Sequence, residues 1–103
     1  MDAYTHDYPS PTGAHAVKTE DNEVRMSHWI RSAVLVEGAT TILDFGGSWS
    51  ADDVSWLDAT HVRLALRHYP GDRSAVIELD VIARTATCND APMTFDELSR
   101  WLR

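Results

Sequence analysis

Between His61 and Ala83 the chain alternates with a period of two, breaks once, and resumes. Val62, Leu64, Leu66 and His68 share one parity, and Arg63, Ala65 and Arg67 the other. Tyr69-Pro70-Gly71-Asp72-Arg73 interrupts the run with turn chemistry. Ala75, Ile77, Leu79, Val81 and Ala83 then take one face, and Glu78 and Asp80 the other. Successive strand side chains point to opposite sides of a sheet, so this pattern reads as a half-buried β-hairpin. A chain that contains it must build a sheet with one face covered.

The rest of the chain from Met26 fits the same plan. Trp29 to Val36 reads as a strand, Glu37 to Thr40 as a turn, and Thr41 to Phe45 as a second strand. Gly46 to Ser50 reads as a loop, since paired glycines weaken a strand. Ala51-Asp52-Asp53 is a short turn in this reading, Val54 to Leu57 a brief third strand, 61–69 the fourth and about 74–87 the fifth. Thr94 followed by Glu97 three residues on is a capping box, with Met93 and Leu98 placed as a hydrophobic staple. Phe95, Leu98, Trp101 and Leu102 form the apolar stripe of a short C-terminal helix. The expectation is a mainly β fold: an antiparallel meander of about five strands with one C-terminal α-helix. The meander is either a bent sheet or a small barrel of SH3-like or Sm-like architecture.

Residues 1–25 read differently. They hold Pro9, Pro11 and Gly13, few aliphatic residues and a surplus of acids. On composition they bury too little apolar surface to offset the entropy of ordering. They are expected to be a disordered tail, with Tyr4 and Tyr8 its only docking candidates and Met26 an alternative start. Residues 26–103 are then the single β-rich domain.

The formal net charge is −7. That balance argues against non-specific binding to nucleic acid and against anionic membrane surfaces, both of which need clustered lysine and arginine. It favours a protein partner, with a basic one the better match. One cysteine, Cys88, excludes an intrachain disulfide and suggests a reducing, cytoplasmic setting. No apolar run approaches the length of a membrane span.

Chemical signatures are sparse. The five histidines and Cys88 lack zinc-ligand spacing, so neither metal nor cofactor is expected. Ser48 or Ser50 beside Asp52 and a histidine would make a nucleophile–base pair, but no nucleophile elbow surrounds them. The expected function is a small acidic protein-interaction module without enzymatic activity, of an inhibitor, immunity-like or accessory kind. A homodimer through a sheet edge or face is expected as well. The alternatives are a nucleic-acid-binding small barrel using Arg63, Arg67, Arg73 and Arg84, and a small hydrolase using Asp52, Asp53 and a histidine. The candidate contacts are Trp49, Asp52, Asp53, Trp56, Arg63, Arg67 and Ile82. A four-residue hairpin loop is expected to set Arg67 opposite Glu78, Ala65 opposite Asp80 and Arg63 opposite Ile82.

Overall fold

The computed structural model describes residues 6–23, 29–69, 71 and 73–103. Among them, nine strands and one helix follow in order: β1 (His6–Pro9), β2 (His15–Glu23), β3 (Trp29–Glu37), β4 (Thr40–Asp44), β5 (Trp49–Trp56), β6 (His61–His68), β7 (Ser74–Asp80), β8 (Thr85–Cys88), β9 (Ala91–Thr94) and α1 (Phe95–Trp101). Each strand pairs antiparallel with the next, and only the β4–β5 step breaks the ladder. The protein is a mainly β antiparallel meander with a C-terminal helix. It is divided into a four-stranded sheet, β1–β4, and a five-stranded sheet, β5–β9, and neither closes into a barrel.

One apolar cluster joins the two sheets and the helix. Val17, Leu35, Leu43 and Phe45 enter it from the first sheet, Trp49, Val62, Leu64, Ile77 and Leu79 from the second, and Leu98 and Leu102 from the helical end. Burial of each such side chain is worth about 1.5–3 kcal/mol. α1 starts as the sequence predicts: the Thr94 hydroxyl accepts the Glu97 N–H at 3.2 Å, and the Glu97 carboxylate accepts the Thr94 N–H at 3.0 Å.

Two tight turns have backbone reasons. Gly38 has φ +58 and Ala39 is not in the positive-φ region, the pattern of a type II′ turn between β3 and β4. Asn89 (φ +49) and Asp90 (φ +71) form the type I′ turn between β8 and β9.

The structure differs from expectation in several places. Residues 6–23 are not a disordered tail; they are β1 and β2, and β2 pairs with β3 from His15↔Glu37 to Glu23↔Trp29. The inward parity of β2 is His15, Val17 and Thr19, all buried. One aliphatic residue among three gives composition little to detect, while ladder pairing and the neighbouring core supply the stabilisation. Tyr8 packs against that core, half buried. Tyr4 and Met26, the alternative start, lie outside the described residues.

The third strand is also longer than expected and takes in Trp49 to Asp53. The fifth ends at Asp80, because Asp80 Oδ1 accepts the N–H groups of Ile82 and Ala83, and the Arg84 N–H bonds the Asp80 carbonyl. Residues 81–84 are therefore a turn.

The register of the β6–β7 hairpin is shifted from the expected one. The His68 N–H donates to the Arg73 carbonyl at 2.8 Å, and Arg67 faces Ser74. Arg63 therefore faces Glu78, Ala65 faces Val76 and His61 faces Asp80. The loop length fixes antiparallel pairing. A four-residue connection at 69–72 yields these partners, and the expected set misplaced the count by four positions.

Candidate functional site

The outer face of the second sheet gathers four of the seven candidate contacts. Asp52, Asp53, Arg63 and Arg67 are all exposed there. Adjacent residues on a regular strand would point to opposite faces. Here a β-bulge between Ala51 and Asp53 leaves Asp52 without an opposite number and turns both carboxylates outward. Asp52 meets the Arg67 guanidinium at 3.2 Å. Two rows along, Arg63 meets Glu78 at 2.6 Å. Between these ion pairs lie Ala65 and Val76, directly opposite each other, with Val76 50 % exposed. A shallow depression of about 390 Å³ opens beside Val76, bordered by Asp52, Arg67, Ser74 and Asn89. The Asn89 side chain accepts the Val76 N–H at 2.9 Å, which holds the β8–β9 turn along this border.

The other three candidates lie elsewhere. Trp49 is not an exposed loop contact: it is 1 % exposed, and its indole N–H donates to the Leu102 carbonyl at 2.9 Å. The cause is its position as the first inward residue of β5, under α1. Trp56 is half buried, and its indole donates to the Tyr8 carbonyl at 2.7 Å, tying β1 to the second sheet. Ile82 is 66 % exposed, but it sits in the 81–84 turn and not beside Arg63.

The arginines named for a basic groove are not gathered into one. Arg84 reaches Glu37 at 3.4 Å, and the Arg73 guanidinium lies 5.3 and 5.2 Å from the ring centres of Trp49 and Trp101. The residues named for a nucleophile pair are also engaged separately. The Ser50 hydroxyl is buried and accepts the Arg31 N–H at 3.1 Å, while Asp52 holds Arg67. Among the described residues no three of His, Cys, Asp and Glu come together as a metal cage, and no helix is long and apolar enough to cross a membrane.

A second groove of about 570 Å³ lies at the far end of the same sheet, bordered by His61, Glu78, Asp80, Thr87, Pro92 and Glu97. At its border His61 meets Asp58, a contact that no spacing in the sequence had singled out. Asp58 accepts the Thr60 and His61 N–H groups at 2.8 and 2.9 Å, and its oxygens lie 3.0 and 3.1 Å from His61 Nδ1. Those hydrogen bonds, the Thr60 N–H foremost, hold the Asp58 carboxyl down at about 2. The Asp58 hydrogen bond raises the His61 imidazolium above its ordinary value. Asp80 is lowered, chiefly by the Ala83 N–H. Asp58-x-x-His61 across a turn, with Asp80 opposite, was the available signal, but it needed the correct register to be seen.

Comparison with known proteins finds no match: no family model, no curated protein and no solved structure matches this chain.

Proposed function

We propose that the protein is a non-enzymatic interaction module that binds another protein through the outer face of β5, β6 and β7. One observation carries this reading: exposed Val76, opposite half-buried Ala65, makes an apolar spot on the outer sheet face between two ion pairs. An apolar centre with a polar, solvent-accessible rim is the anatomy of a protein interface. The pairs contribute little to stability where they stand, roughly 0.2–1 kcal/mol each. Their value to a complex is orientation. Asp53 and Asp80 add charge to the same sheet, and with the net charge of −7 they favour a basic partner. Inhibitor, immunity-like and accessory roles all fit such a module.

The test is affinity capture with the wild type, Val76→Arg, Arg67→Glu, and a control changed on the first sheet, Lys18→Glu. Folding of each is checked by circular dichroism. The reading expects one binding protein held by wild type and control, lost with Val76→Arg and weakened with Arg67→Glu. Equal capture by all four, or turnover of a hydrolase substrate by the purified wild type, overturns it.

A further inference from the structure

We propose that Asp58, His61 and Asp80 form a proton-dependent clamp that holds the β5–β6 turn against the β7–β8 turn, closed while His61 is an imidazolium and released when that proton leaves. The clamp concerns the free protein and does not depend on what the β5–β7 face binds.

The geometry sets the proton requirement. His61 Nδ1 lies 3.0 Å from Asp58 Oδ1, and Nε2 lies 3.4 Å from Asp80 Oδ2. Ionised carboxylates only accept hydrogen bonds. A neutral imidazole donates from one nitrogen and presents a lone pair at the other, so it serves one carboxylate and repels the second. Only the imidazolium donates to Asp58 and at the same time turns positive charge, not a lone pair, toward Asp80. The Thr60 hydroxyl, 2.9 Å from Nδ1, offers the neutral ring another partner, but taking it draws that hydroxyl from Asp58 Oδ1, 3.1 Å away.

Each turn is otherwise closed by its own aspartate. Asp58 takes backbone N–H groups from its turn, and Asp80 takes those of Ile82 and Ala83. The backbone tie between the turns is the Val81 N–H donating to the Thr60 carbonyl at 2.9 Å. Three further charged groups lie near His61. Glu78 of β7 and Arg63 of β6 neutralise each other one row away, and Glu97 of α1 borders the same groove. β8 contributes the uncharged Thr85 beside Asp80. Without the imidazolium, Asp58 and Asp80 face each other as like charges.

The sign of the pH dependence follows. The folded-state value of His61 is raised. The clamp's contribution is therefore complete below the unfolded value of about 6.5 and is lost as pH climbs through the folded one. The ring is 44 % exposed, so salt weakens the effect.

The test is NMR on the intact chain. The His61 ring is expected to titrate above the free-histidine midpoint, to fall back with Asp58→Asn, and to fall by less with Asp80→Asn. Hydrogen exchange at the Val81 amide, corrected for its intrinsic rate, is the second readout. Protection should drop several-fold from below the midpoint to above it in the wild type, and stay flat in His61→Gln. A midpoint at or below the free value, or an equal pH dependence of Val81 protection in His61→Gln, overturns the clamp.

Discussion

Trp49 shows how one side chain changes meaning with its surroundings. A tryptophan after two glycines invites the reading of an exposed hot spot. In the fold it stacks on Trp101 (5.3 Å between ring centres, 27° between planes) and receives the edge of His68 at 4.8 Å. Arg73 lies over both indoles. Trp49→Ala is therefore expected to cost about 3–5 kcal/mol of stability, read from urea unfolding followed by circular dichroism. Trp49→Phe keeps one aromatic ring but gives up the indole N–H that bonds Leu102, which places its cost near 1–3 kcal/mol. A loss below about 1 kcal/mol for the alanine variant would contradict the core assignment. For the same reason, truncating Trp49 cannot report on partner binding, since it damages the fold. Val76 and Arg67 can, because both are exposed.

Among the elements, local signals were read well and pairing was read less well. Capping of α1, the alternation of β6 and β7, and the Gly38 turn all depend on neighbours within a few residues, and each was legible. The β5 bulge was not: Asp52-Asp53 looks the same in sequence whether it is a turn, a helix start or an extra residue in a ladder. Two outward carboxylates side by side come from the bulge alone. The β8–β9 turn offers a further check. Asp90 occupies φ +71, where glycine carries no steric cost. Asp90→Gly is expected to stabilise by up to about 1 kcal/mol and to raise the calorimetric Tm by a few degrees. Asn89 is to be kept, since it accepts the Val76 N–H. A lowered Tm would refute the strain assigned to this turn.

For the molecule as a whole, the first sheet depends on its N-terminal half. β2 covers the edge of β3 along nine residue pairs and buries Val17 in the shared core. β1 is joined to the second sheet through Tyr8 and Trp56. A chain beginning at Met26 would leave β3, which carries Ile30 and Leu35, as a bare edge strand, and exposed edges template association. Removing residues 1–25 is expected to abolish cooperative thermal unfolding and to shift the protein into aggregates on size-exclusion chromatography. A truncated chain that stays monomeric with an unchanged Tm would show that β1 and β2 are dispensable. The aliphatic alternation of residues 61–80 and the Thr94–Glu97 pair were enough to establish an antiparallel β fold with a short terminal helix, because both patterns act over neighbouring residues. The division into two sheets, the capture of residues 6–23, the burial of Trp49 and the meeting of Asp58 with Asp80 around His61 came from contacts between distant parts of the chain. Such contacts depend on register and on which surface covers which, and neither is encoded in any short window of residues.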